Sequence, residues 1–128
     1  SMQKLTEVLI DAPEEVSVFC GCDNLAFESF ADGAVGWISM LANVAPADCV
    51  ELFNLVHEKK DLEAAFAVYK KLLPALNVLE GFPKPVQALK YGLKSRGLNG
   101  GYVRRPRKEL TDEEKAFIDR EMHLDEIK

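Results

Sequence analysis

The sequence lacks a long hydrophobic run, a large set of cysteines and an excess of positive charge. A membrane span takes about 18 consecutive apolar residues, and no run approaches that length, so we expect no membrane partner. The chain has three cysteines: Cys20, Cys22 and Cys49. An odd and small number of cysteines does not form a disulfide framework, and it predicts a reducing, cytoplasmic location. The net charge is -5, which would repel nucleic acid as a partner.

Two apolar runs are the strongest local pattern, and they predict two parallel strands. The runs cover Val16 to Gly21 and Val35 to Met40, and neither alternates between apolar and polar residues. Continuous runs of this kind are typical of strands covered on both faces, as in parallel sheets. Asp23 or Asn24 could cap a helix between them and Gly33 could end it, which completes a βαβ unit.

The rest of the chain is predicted to be helical. The spacing of apolar residues, with proline, glycine and capping residues at the ends, predicts one helix before Pro13 and others over about 46–60, 61–81, 85–97 and 112–122. Thr111 and Glu114 form a capping box for the last helix. We divide the chain into a strand-helix region, 1–60, and a helical region, 61–128.

Four sequence segments resemble the last third of one enzyme family. They are GCDN after the first run, GAVGWISMLANVAP, the LxxAxxxxxxLLP pattern and a PxPVxxLK-like segment. The resemblance is to the dihydrodipicolinate synthase and N-acetylneuraminate lyase family, the pyruvate-dependent class I lyases and aldolases. It implies an α/β fold, a partial (β/α)8 barrel made of the last two parallel strands (the seventh and the eighth) and a carboxyl-terminal helical region, mostly helical by content.

The resemblance also implies a set of substrate-binding residues. Gly21 and Ile38 match positions whose backbone lines the family's site, and Asp23, Asn24 and Ser39 match positions that touch the second substrate in the sugar-acid members. Chemistry in the family proceeds through an imine between pyruvate and a lysine, with no metal and no organic cofactor.

The sequence departs from the family by what it does not contain. A barrel of this kind takes roughly 250 residues, about twice the length of this chain. The family's Schiff-base lysine, its threonine loop and its tyrosine segment have no match here. We therefore assign no catalytic residue.

Other candidate sites have simpler interpretations. Cys20 and Cys22 could face the same way and bind zinc, but zinc needs about four ligands, so buried reduced thiols are favoured and we assign no metal site. His57 and His123 are expected to be solvated. The basic run from Tyr102 to Lys108 is interpreted as a solvated loop, and Trp37 as a core or interface residue.

Three functions remain open. We favour a truncated family member that is not catalytic alone. The alternatives are one half of a split lyase, completed by an upstream half-barrel chain, and an oligomeric binding or scaffold module. Two parallel strands leave unpaired edges, so we also expect a homo-oligomer that completes the sheet.

Overall fold

The computed structural model describes all 128 residues and has one small parallel sheet among helices. Strand β1 covers Phe19–Cys20 and strand β2 covers Gly36–Trp37. The helices are α1 Met2–Asp11, α2 Ala26–Asp32, α3 Pro46–His57, α4 Leu62–Gly81, α5 Pro85–Ser95 and α6 Asp112–Glu121, with short 3-10 turns at Asp23–Leu25 and Leu41–Asn43. The prediction of a mostly helical α/β chain with a parallel strand pair is confirmed.

The two strands pair in parallel but are shorter than predicted. Phe19 lies opposite Gly36 and Cys20 opposite Trp37. Beyond Trp37 the backbone leaves the ladder, because the amides of Met40 and Leu41 turn toward the side chain of Asp23. Each strand has one neighbour, and Phe19 remains 52% exposed, so the expected cover on both faces is not provided by these 128 residues.

The local signals at helix ends were mostly read correctly. Asp61 accepts a hydrogen bond from the Ala64 amide at 2.9 Å, and Thr111 forms its capping box with Glu114. Gly33 ends α2 with a φ of +120°, a region that favours glycine. The predicted cap on α2 is wrong: the helix begins at Ala26 without a side-chain cap, because the carboxylate of Asp23 accepts hydrogen bonds from Trp37 and from the amides after β2 instead.

One hydrophobic core extends from α2 to the end of the chain, and α1 contributes no buried residue to it. Helix α3 packs along α4, and the largest fully buried side chains come from both halves of the sequence: Leu41, Leu52, Leu72, Leu76, Leu79 and Ile118. Residues of both predicted regions, 1–60 and 61–128, contribute to this core. The boundary between the two regions stays a prediction. No helix combines the length and the apolar character that crossing a bilayer requires.

The prediction for His57 is wrong, and the one for His123 is confirmed. The centre of the His57 ring lies 4.4 Å from that of the Phe53 ring, in a tilted arrangement, and 5.1 Å from that of the Phe30 ring, edge to face, and its Nε2 atom is buried without a hydrogen-bond partner. His123 is exposed. The three cysteines are free thiols; Cys20 and Cys49 are buried as predicted, whereas Cys22 is partly exposed.

Candidate functional site

The carboxyl ends of β1 and β2 bring the five predicted site residues to one edge of the sheet. Gly21, Asp23 and Asn24 follow β1, while Ile38 and Ser39 follow β2, and parallel strands end on the same side. Gly21 borders open space, because a Cβ added there would meet no atom within 4 Å. Ile38 is 70% exposed, and its amide donates to the Cys20 carbonyl oxygen at 2.9 Å. This edge is where α/β proteins of this kind bind small molecules.

Asp23 joins the two strand ends from inside the protein. Its side chain is buried and accepts hydrogen bonds from Trp37 Nε1 at 3.1 Å, from the Met40 amide at 3.0 and 3.1 Å and from the Leu41 amide at 2.9 Å. Burial raises the pKa of Asp23 above its ordinary value, while the amides of Leu41 and Met40 oppose that rise. Both carboxylate oxygens are used, so Asp23 positions the site edge rather than presenting a free oxygen to it.

Helix α4 orients the side chain of Asn24. The Asn24 amide nitrogen donates to Asn77 Oδ1 at 3.0 Å, and the Asn24 amide oxygen accepts from the Cys22 thiol at 3.3 Å. The Tyr69 hydroxyl donates to the Asn24 carbonyl oxygen at 2.7 Å. With both ends of its amide fixed, Asn24 keeps one N–H and one oxygen lone pair for another group.

The turn after β1 is also tied to α4 through Glu80, whose carboxylate accepts a hydrogen bond from the Asp23 amide. Cys22 lies beside it, and its pKa is raised by burial and by the negative charge of Glu80. A thiol with a raised pKa is mostly protonated at neutral pH and is a weak nucleophile. Cys22 is therefore a hydrogen-bond donor to Asn24 rather than a reactive group.

Ser39 stands at the other side of the edge, half-buried. Its hydroxyl oxygen accepts from the Ala42 amide at 3.1 Å, which shapes the turn into the 3-10 segment Leu41–Asn43. Cys49 lies next to it on α3, and burial raises the pKa of that thiol to about 12. A hydrogen bond from the Ser39 hydroxyl to Cys49 opposes that rise, so the hydroxyl hydrogen is directed at the thiol and one oxygen lone pair of Ser39 remains available as an acceptor.

Sequence reasoning did not find the residues of α4 that organise this edge. All three lie more than 40 positions beyond Asn24: Tyr69 falls on the apolar side of the predicted helix without any sign of its hydrogen bond, and nothing in the local pattern distinguishes Asn77 and Glu80 from surface positions. Trp37 was interpreted as a core or interface residue, and its half-buried ring packs against Phe30 while its N–H reaches Asp23. No cluster of three His, Cys, Asp or Glu side chains could hold a metal ion.

No lysine lies in either strand or contacts the site edge. The lysine ammonium groups that form hydrogen bonds do so elsewhere: Lys71 with Asp48 at 2.8 Å, Lys84 with Glu114 at 2.7 Å, Lys90 with the Gly100 carbonyl oxygen at 2.8 Å and Lys115 with Asp112 at 2.9 Å. The edge therefore offers amide, hydroxyl, thiol and backbone groups, which can bind a polar ligand, but no amine that could form an imine with a carbonyl carbon.

A parallel βαβ unit, with polar groups at its strand ends and helices packed against it, defines part of an α/β protein that binds small molecules at a sheet edge. The model of the dihydrodipicolinate synthetase family matches residues 1–123, and the chain belongs to this family. A 4-hydroxy-tetrahydrodipicolinate synthase from Chlorobium phaeobacteroides (strain BS1) is 36% identical over 124 residues, which make up 95% of this chain and 40% of that protein.

Solved structures agree with this assignment. The 4-hydroxy-tetrahydrodipicolinate synthase of Methylacidiphilum fumariolicum SolV is 25% identical with a TM-score of 0.85, over 97% of this chain and 41% of that one. A chloride-inhibited dihydrodipicolinate synthase from Acinetobacter baumannii, complexed with pyruvate, is 26% identical with a TM-score of 0.82, over 98% and 43%. The chain thus spans about two fifths of its relatives, and the fold is consistent with a partial barrel.

Proposed function

We propose that this chain forms the second-substrate side of a pyruvate-dependent lyase or aldolase site, in which residues outside 1–128 supply the imine-forming lysine. Its strands β1 and β2 would then be the seventh and eighth strands of a (β/α)8 barrel. Gly21, Asn24, Ile38 and Ser39 would contact the second substrate, and Asp23 would hold them in place. On its own the chain would not be catalytic.

The observation that carries this proposal is the set of polar groups at the shared carboxyl edge of the two strands. Asn24 and Ser39 each keep hydrogen-bonding capacity there, and Gly21 leaves space beside them. An aldehyde substrate has a carbonyl oxygen and often hydroxyl groups, for which such neutral donors and acceptors are suited. One relative was crystallised with pyruvate, which supports pyruvate as the first substrate.

The proposed reaction requires a lysine that residues outside 1–128 must supply. A lysine amine attacks the C2 carbonyl of pyruvate, water leaves, and the resulting imine loses a methyl proton to give an enamine that attacks the aldehyde carbonyl. The first step needs an unprotonated amine in a desolvated site. The lysine ammonium groups described above are instead hydrogen-bonded to carboxylates or carbonyl oxygens, and these lysines lie on helices α4, α5 and α6 or just before α5.

Borohydride trapping tests the proposal. The 128-residue protein is incubated with pyruvate and sodium borohydride, and its intact mass is measured. We expect no increase by a reduced pyruvyl group. A stoichiometric adduct on any lysine of this chain would contradict the proposal.

A second candidate, an oligomeric binding or scaffold module, is favoured by the uncovered sheet. Phe19, Val35 and Val50 line an apolar groove of about 370 Å³ and are each half exposed or more. Another copy of this chain could cover the groove, as could an upstream half-barrel chain. Light scattering after size exclusion tests the first case, and a stable monomer of 14.3 kDa would contradict it.

A further inference from the structure

The segment after α6, residues 123–128, is fixed against the core next to the candidate site. Ile127 is 1% exposed and belongs to the hydrophobic core. Arg96 Nη2 donates to the carbonyl oxygens of Leu124 at 2.8 Å and of Ile127 at 2.6 Å. We call residues 123–128 the strap, because they lie across other elements without forming a helix or strand.

The strap caps helix α3. The N-cap residue of α3 is Ala45, whose side chain cannot accept a hydrogen bond from the first turn. The Asp48 amide donates instead to the carbonyl oxygen of Lys128 at 2.8 Å, and Asp48 Oδ2 accepts from the Lys128 amide at 2.8 Å. A backbone segment distant in sequence thus takes the role that a serine or aspartate normally fills.

The strap and the turn that carries Ser39 pack against the same residue of α5. A Cβ placed on Gly92 would lie 3.5 Å from atoms of both Leu124 and Val44, so both side chains lie close to the backbone of Gly92. Val44 donates its amide to the Leu41 carbonyl oxygen at 2.8 Å, and the Leu41 amide bonds to Asp23. One series of contacts therefore links the strap to the site edge through residues 40–48.

We propose that the strap sets the conformation of the turn at residues 39–45 and so positions Ser39 in the candidate site. Detaching the strap removes the cap on α3 and the packing of Leu124 against Gly92 beside Val44, and the turn then opens before the core of α4 does. Arg96 is a positioning residue in this device. The inference concerns the site turn itself and holds whether or not pyruvate is the substrate.

The test is hydrogen exchange in Arg96→Met, with Arg120→Met as the matched control. Arg120 lies on α6, where it bonds to its neighbour Glu121 and lies over the Phe117 ring, and it forms no hydrogen bond with the strap. In Arg96→Met we expect exchange on the order of tenfold faster in residues 123–128 and several-fold faster in 40–49, with no change in 65–79. The control should leave all three segments unchanged.

Two results would overturn the inference. Faster exchange confined to 123–128 would mean that the strap does not hold the turn, and an equal increase in all three segments would mean a general loss of stability. Should Arg96→Met fail to fold, Ile127→Val provides the second variant, because it shortens the buried anchor by one methylene. The same pattern is then expected at about a third of the size.

Discussion

Replacing Asp23 with asparagine should destabilise the protein strongly for so small a change. Each carboxylate oxygen accepts from buried or half-buried donors, Trp37 and Met40 on one side and Met40 and Leu41 on the other. Asparagine keeps one oxygen and places an NH₂ group where the second oxygen stood. At least one buried amide then faces a donor, and leaving such a group unsatisfied costs about 1–3 kcal/mol.

We therefore expect a loss of about 1–3 kcal/mol in the free energy of unfolding, and burial, which disfavours the charged form of Asp23, leaves little to add for the lost charge. The assay is urea unfolding followed by the fluorescence of Trp37, the single tryptophan, whose N–H bonds to this carboxylate. Asp125→Asn is the control, since Asp125 is exposed. A loss in Asp23→Asn no larger than that of the control would refute the role assigned to Asp23.

Three further predictions concern the pH dependence of stability, the partly buried His57 and two glycines. Burial raises the pKa of Asp23, so the stability that this group contributes is fully present below the pKa of an ordinary aspartate and is lost as the pH rises through the pKa of the folded state. Unfolding measured at several pH values should show the stability advantage of the native protein over Asp23→Asn shrinking between those two pKa values. His57→Leu should leave the melting temperature unchanged or raise it, because it removes a buried nitrogen without a partner, and a drop of several degrees would contradict this. Gly100→Ala should lower the melting temperature, since its Cβ would lie 2.3 Å from the Lys90 carbonyl oxygen, whereas Gly81→Ala at the end of α4 meets nothing and should not lower it.

The sequence was sufficient for the elements that local chemistry determines. Asp61, the Thr111 capping box and Gly33 mark helix ends through short-range hydrogen bonds, which a sequence pattern contains. The parallel strand pair followed from two apolar runs with a helix between them. The length of the strands did not follow, because it depends on neighbouring strands that these residues do not include.

The sequence was sufficient to predict that the five candidate residues share one edge of the sheet, but it did not predict the hydrogen bonds of Asp23. Resemblance placed five residues at the site, and parallel pairing explains why they share one edge. Asp23 was expected as a helix cap and a substrate contact, yet its carboxylate is buried against Trp37 and the following turn. These hydrogen bonds join residues that are 14 to 18 positions apart in the sequence, so they depend on how α2 packs. A local sequence pattern does not contain that information.

His57 is a second residue whose environment local sequence did not predict. Its neighbours in sequence, Glu58 and Lys59, are charged and suggest a solvated face. The ring is instead covered by Phe30 from α2 and by Phe53 one turn earlier in α3. A residue near the end of a helix takes its environment from the element packed beside it, which local charge does not reveal.

Complementation tests the central claim most directly. The chain is mixed with a polypeptide that contains the preceding barrel strands of a family member, and pyruvate is trapped with borohydride before peptide mapping. We predict an adduct that forms on a lysine of the added polypeptide, and an aldol activity of the mixture that falls when Asn24 or Ser39 is replaced by alanine. An adduct on this chain, or an activity indifferent to both replacements, would contradict the account.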